Sequence, residues 1–243
     1  MTVGIVGSES LADLVAAALG RPDLVVGEAG KVTAERPDWI VAEGTGALRE
    51  LVRSGVDAPV LVIESNSRAD EWPSQAIPTV PRADLGAAIE AASAGELPET
   101  ARTPIVVAVD GSEAGRALFD VTLVTDEPAR ICEYSVRTGH EAVGSVRADG
   151  IVVATPAGSY GYASAAGGPI LEAGTGVLAV VPIAAFVTDA DHWVLDADDV
   201  ELGVEREETI AVVADGDPIE SIERGDGVEL TPGESVWLFE WSG

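Results

Sequence analysis

Two short stretches hold residue types and spacings that can do chemistry. The longer runs from Asp149 to Ile170, DGIVVATPAGSYGYASAAGGPI. A short apolar run leads directly into Gly, Ala, Ser, Thr, Pro and Tyr, side chains too small or too polar to build a core. Small residues permit a tight turn and close helix packing. They also suit a surface where backbone amides and hydroxyls approach a polar ligand. The start of the short helix after the TPAGS loop offers N–H groups to a phosphate. Thr155, Ser159 and Ser164 add hydroxyls, and Tyr160 and Tyr162 offer flat faces to an aromatic base. Both readings stand on these residues alone.

The second stretch is WIVAEGTGAL, Trp39 to Leu48. It predicts a buried strand ending in Glu43, followed by Gly44, Thr45 and Gly46 at the start of a helix. A carboxylate placed there can take up a proton or help hold Mg²⁺; an ordinary strand-to-helix loop has the same pattern. Other nucleotide motifs are missing. Gly30-Lys31 lacks the earlier glycine and the following hydroxyl of a phosphate loop, and Gly4 and Gly7 are wrongly spaced for a dinucleotide turn. His140 and His192 have no metal-ligand spacing and read as surface or structural residues. Cys132 is the lone cysteine, which excludes a disulfide framework and a cysteine metal cluster. No resident metal site is expected.

The elements that must position these groups fall into two regimes. Up to about residue 94, short apolar runs alternate with helical patterns: TVGIVG, then ESLADLVAAALG with Leu11, Leu14, Val15 and Leu19 on one face, then DLVVG, DWIVAE, TGALRELVRSG, VLVIE and ADLGAAIEAAS. The alternation predicts an α/β domain with a parallel sheet over 1–96. Ala92 to Pro104 is polar and proline-punctuated and reads as a linker. From 104 to 243, runs rich in Val, Ile and Thr recur between turn signals, from PIVVAV to SVWLFEW, predicting a mainly β domain. Within it only Tyr160–Ala166 has a helical pattern.

Composition bounds the partners. The 243 residues include 42 Asp+Glu against 14 Lys+Arg, a formal net charge of −28, while 47% are hydrophobic. That is ample for a core, and the negative field disfavours nucleic acid and anionic membranes as partners. Concentrated salt screens such self-repulsion, the Debye length being about 3 Å at 1 M, so a halophilic, salt-rich cytoplasm is expected. The N-terminus has no positive flank of a signal peptide. The longest apolar stretch, Val177 to Val187, is broken by Pro182 and falls short of the roughly 20 residues of a membrane span.

Taken together, Arg147-Ala148-Asp149-Gly150, Thr155-Pro156-Ala157-Gly158-Ser159, Tyr162 and Ala166-Gly167-Gly168-Pro169 closely resemble the signature of NAD kinases. That family carries a DG, apolar run, TPTGSTAY and AGGP block in its β domain, and GGDGT at a strand end of the preceding α/β domain. Glu43-Gly44-Thr45 falls where GGDGT belongs, Phe119-Asp120 where the family has Asn-Glu, and Arg130 where it has a positive residue. Val181-Pro182-Ile183 and Asp215-Gly216 match its TPI and late DG. The likeness spans roughly Trp39 to Gly216 and is strongest over 147–170.

This resemblance implies a two-domain phosphotransferase that moves the γ-phosphoryl of ATP to the adenosine 2′-hydroxyl of NAD, with Mg²⁺ or another divalent metal, as a homodimer or homotetramer. It implies that Glu43 accepts the hydroxyl proton, beside Gly44 and Thr45. Asp120 would lie in the nucleotide site, and Arg130, Arg147 and Asp149 would hold ribose or groups of a neighbouring subunit. Thr155, Gly158, Ser159, Tyr160, Tyr162 and Ser164 would cradle the adenine end across a cleft. The chain departs from the family at Val41 and Ala42 in place of two glycines, at Phe119 in place of the ribose-binding amide, at Tyr160 in place of Thr, and at Phe186 in place of His. Those departures leave open a non-catalytic NAD(P)- or ATP-binding regulator, and more remotely a structural oligomer subunit.

Overall fold

The computed structural model describes residues 1–20, 23–65, 72–125, 132–139, 141–187, 190–205 and 209–242. The chain forms two compact units, Met1–Arg102 with Ser235–Gly243, and Thr103–Glu234.

In the first unit, β1 (Thr2–Val6), β2 (Asp23–Val26), β3 (Trp39–Glu43) and β4 (Val60–Ile63) run parallel in the order β2-β1-β3-β4. Helices α1 (Glu9–Leu19), α2 (Ala29–Ala34), α3 (Gly44–Arg53) and α4 (Leu85–Ser93) connect or follow these strands. Successive side chains of a strand alternate between faces. Trp39 and Val41 of β3 therefore join Leu11 and Val15 of α1 and Ile89 of α4 in one core. On the other face a Cβ on Gly4 would lie 2.5 Å from Val32 Cγ1, so the glycine lets α2 approach β1 closely. Ser8 caps α1, its side chain accepting from the Leu11 amide. Leu14, expected on the buried face of α1, is half exposed; Leu11 and Val15 carry the helix against the sheet.

Two expectations need correction here. Residues 99–102 of the expected linker form β5 (Glu99–Arg102), whose polar sequence hides a strand held by backbone pairing. The run SVWLFEW, expected in the mainly β domain, contributes β18 (Val236–Phe239), which lies between β4 and β5 in the first sheet. Phe239 meets Trp39 edge to face, with ring centroids 6.0 Å apart, so apolar packing as well as pairing holds the strand there.

The second unit is a sandwich of two six-stranded antiparallel sheets. One contains β6 (Ile105–Val109), β7 (Ser112–Ala117), β9 (Cys132–Thr138), β10 (Glu141–Ala148), β14 (Val200–Val204) and β17 (Gly227–Pro232). The other runs β13 (Trp193–Asp196), β12 (Val177–Ile183), β11 (Gly150–Ala154), β8 (Asp120–Thr125), β15 (Ile210–Ala214), β16 (Asp217–Ile222). Their facing side chains, such as Val107, Tyr134, Leu202, Leu123 and Val153, form one core. β11 is buried along its whole length. Ile151 and Val153 enter that core, while Val152 and Ala154 lie beneath the single-turn helix α5 (Tyr162–Ala165). An unbroken apolar run is what burial on both faces requires.

Candidate functional site

In the strand order β2-β1-β3-β4, the chain moves outward from β1 in one direction and then returns to continue in the other. The carboxyl ends of β1 and β3 therefore flank the crevice where open α/β sheets take ligands. Glu43 ends β3 at this crevice. Its Oε2 accepts the Ser8 amide at 2.7 Å, and its Oε1 accepts Arg82 Nη1 at 2.6 Å. A Cβ on Gly7 would lie 2.9 Å from Oε2, so glycine there leaves space for the carboxylate. Burial alone would raise the Glu43 carboxyl; the hydrogen bonds from Arg82 and Ser8 outweigh it and hold the group below the ordinary glutamate range. Gly44 has φ +76°, a conformation that favours glycine and turns the chain from β3 into α3. Thr45 is fully buried behind it. Val41 and Ala42 are fully buried strand residues paired on both sides, Val41 with Ile5 and Leu61, Ala42 with Val6 and Val62. Their side chains point to opposite faces of the sheet, Val41 into the core with Leu11 and Val15.

In the second unit the TPAGS segment is built onto the start of β8. The Thr155 amide donates to the Phe119 carbonyl at 2.9 Å, and Thr155 Oγ1 donates to the Leu118 carbonyl at 2.7 Å while accepting from the Gly158 amide. Ser159 Oγ donates to the Pro156 carbonyl and accepts the Leu171 amide. Both hydroxyls are buried and used within the loop. Gly158 is packed so closely that an added Cβ would lie 1.8 Å from the Phe119 carbonyl oxygen. For Thr155, Gly158 and Ser159 the tight-packing reading accounts for the residue types, and the expectation of free hydroxyl donors there is corrected. The loop amides of Gly158, Ser159 and Gly161 bond internally, and α5 has only four residues. What remains outward is Tyr160, half-buried, Tyr162, exposed, and Ser164, half-buried, with Asp120 beside them in register with Ala154.

One residue without an assigned role proves central to this junction. Asp215 is 4% exposed, and its carboxylate accepts the amides of Leu118, Phe119 and Asp120 at 2.8, 2.7 and 3.1 Å. It sits with Gly216 at the tip of the β15–β16 hairpin, both with positive φ as a type I′ turn demands. The Asp-Gly pair is legible in sequence; its three amide partners, about a hundred residues earlier, are not. Phe119 is buried and presents no polar group.

Arg147 and Asp149 lie at the opposite end of β11. Six residue steps from Asp149 to Thr155 in a strand amount to about 20 Å. Arg147 Nε is paired with Glu133 at 3.1 Å and lines a depression of about 500 Å³ with Phe186 and Trp193. Phe186 is 69% exposed. The Asp149 carboxylate accepts no hydrogen bond from another described residue, its backbone amide donating to Ile183. One copy of the chain thus separates the predicted nucleotide residues into two groups. Arg130 and His140 lie outside the described residues, and His192 is exposed. Among the described residues no cluster of three or more His, Cys, Asp or Glu could hold a metal ion.

Comparison with known proteins fits this arrangement. Residues 118–239 match the model of the ATP-NAD kinase C-terminal domain. The chain is 31% identical over 144 residues to the NAD kinase of Methanospirillum hungatei, covering 59% of this chain and 54% of that protein. It is 33% identical over 132 residues to that of Methanosarcina barkeri, covering 53% and 48%. The match thus spans about half the length of these curated relatives. The fold is that of an NAD kinase from Archaeoglobus fulgidus solved with ATP, with TM-score 0.81, 22% identity and coverage of 99% and 94%. It is also that of yeast NADH kinase solved with NADH, with TM-score 0.85, 15% identity and coverage of 100% and 84%. With the family model covering more than half of the sequence, the α/β and strand-rich units in the matching architecture, and the 147–170 block in place, the chain belongs to the NAD kinase family.

Proposed function

We propose that the protein is an NAD kinase-type phosphotransferase that moves the γ-phosphoryl of ATP to the 2′-hydroxyl of the adenosine ribose of NAD, forming ADP and NADP. The observation that carries this reading is the Glu43 carboxylate at the β1/β3 crevice, held at one oxygen by the Ser8 amide and at the other by Arg82. In the step, the ribose 2′-oxygen bonds to the γ-phosphorus, the bond to the β–γ bridging oxygen breaks, and the hydroxyl proton goes to Glu43. A carboxylate has about four acceptor sites, and Ser8 and Arg82 occupy two. A carboxylate of low basicity suffices where positioning and charge offset dominate, as in phosphoryl transfer. A divalent ion bound with the nucleotide would offset the charge of its phosphates.

Tyr160, Tyr162, Ser164 and Asp120 are proposed to contact the nucleotide, with Thr155, Gly158 and Ser159 as their scaffold and Gly44 and Thr45 as that of Glu43. Arg147, Asp149 and Arg130 are proposed to serve a neighbouring copy in a homodimer or homotetramer, since β11 separates Asp149 from Thr155 by about 20 Å. Mixing Tyr162→Ala with Asp149→Ala protein tests this. Activity recovered only in the mixture supports shared sites, and none recovered refutes them. The main test is ADP and NADP formation by the purified protein in molar KCl with Mg²⁺.

A second reading, a non-catalytic NAD(P)-binding regulator, is favoured by Val41 and Ala42 buried in β3 and by Phe119 turned into the core. Tight NADP binding without turnover would select it.

A further inference from the structure

Glu43 does not hang free from the end of β3. Arg82 reaches it from the short 3-10 turn Arg82–Asp84, and the same Nη1 that lies 2.6 Å from Glu43 Oε1 also donates to the Glu64 carbonyl at 3.3 Å. Glu64 follows the last residue of β4, and its amide donates to Val80 at 3.0 Å, so backbone pairing fixes the segment that carries Arg82. The two side chains are 29% and 16% exposed, which shields the pair from much of the solvent. From the other side the Ser8 amide pins Oε2. A carboxylate gripped at both oxygens has one orientation. In a chain with 14 basic residues against 42 acidic ones, a cation placed on this carboxylate is scarce material.

We propose that Arg82 is the positioning residue for Glu43, fixing the orientation of its carboxylate for uptake of the ribose hydroxyl proton. The inference rests on the reading of Glu43 as proton acceptor. Among the described residues Arg82 is the charged side chain in contact with that carboxylate; Ser8 contributes its amide, while Glu9 at the start of α1 and Glu64 after β4 bring like charge to the neighbouring positions. Without Arg82, burial and these acids would push Glu43 toward the protonated form, so the acidic limb of the rate profile moves to higher pH.

The experiment measures NADP formation from ATP and NAD between pH 4 and 9 for the full chain, Arg82→Gln and Arg82→Lys, and records the Glu43 carboxyl by ¹³C NMR, assigned through Glu43→Gln. The expectation for Arg82→Gln is a kcat lowered by as much as about 10²-fold, KM values near those of the wild type, and an acidic limb and carboxyl midpoint displaced upward. Arg82→Lys should restore part of each. A loss of rate with neither limb nor midpoint displaced would make Arg82 merely structural and overturn the inference. Full activity in Glu43→Gln would instead overturn the reading beneath it. The NMR titration separates the two failures, because it reads the pair without turnover.

Discussion

At Gly158 the volume of a side chain is already taken by the Phe119 carbonyl, 1.8 Å from where a Cβ would lie. Gly158→Ala should therefore destabilise the second unit by about 3 kcal/mol, seen as a lowered urea midpoint, before any effect on ligand is considered. Ser159→Ala leaves the Leu171 amide without its partner and should cost about 1–3 kcal/mol, with nucleotide affinity in the folded fraction unchanged. Weakened NADP binding by fully folded Ser159→Ala, read by calorimetry, would return that hydroxyl to the ligand. At Glu43, replacement by Gln should cut kcat by about 10²–10⁴-fold with little change in nucleotide affinity. Because the folded chain holds this carboxyl below its ordinary value of 4.5, its pairing stabilises fully above that pH and the contribution fades as pH falls through the lowered value. The stability difference between wild type and Glu43→Gln, about 1 kcal/mol near neutrality, should vanish in acid; a gap that widened would contradict the assigned sign. Glu43→Asp is the clean probe of carboxylate reach. Adding Val41→Gly and Ala42→Gly would strip two buried side chains from a central strand and confound it.

The hairpin of β15 and β16 acts on the site through Asp215. Three amides at the start of β8 converge on one carboxylate, and the same segment supplies the carbonyls that hold Thr155. Asp215→Ala should leave those buried donors unpaired, lower stability by at least about 2 kcal/mol and weaken NADP binding with it. Asp215→Asn, which keeps the shape but not the charge, should fall between; wild-type stability in both variants would refute the clamp. Strands such as β11 and β12 were legible because unbroken apolar runs have few other uses. The parallel order of the first sheet followed from alternating strands and helices. β5 was illegible because Glu-Thr-Ala-Arg carries no apolar signal, its order coming from backbone pairing to β18 and from the buried Arg102 guanidinium, which donates to the carbonyls of Ala76, Gln75 and Ala101. The TPAGS block identified the family, yet its spacing could not tell a ligand-facing hydroxyl from one spent on its own loop. Arg82 belongs to no motif, since its partner lies 39 residues away in sequence.

For the whole molecule, the net charge of −28 should make stability rise with salt. The melting temperature should climb from low salt to molar KCl as the Debye length shrinks from about 10 Å at 0.1 M to about 3 Å at 1 M. A flat or falling curve would remove the case for a salt-rich cytoplasm. No helix among the described residues is long and apolar enough to cross a membrane. The placement of β18 bears on how the molecule comes into being. The chain leaves its first unit at Arg102 and returns at Ser235, after the whole second unit has been made. During synthesis both units wait on the same stretch of chain: the second lacks its inner strand β17 until Gly227–Pro232 is made, and the first sheet stays open between β4 and β5 until Val236–Phe239 arrives just after it. At about 5–20 residues per second, that leaves an exposed sheet edge on the nascent chain for several seconds. Insert and host are thus completed almost together, and a nascent chain stalled before Gly227 would present open sheet edges of both units to chaperones and to other copies of itself.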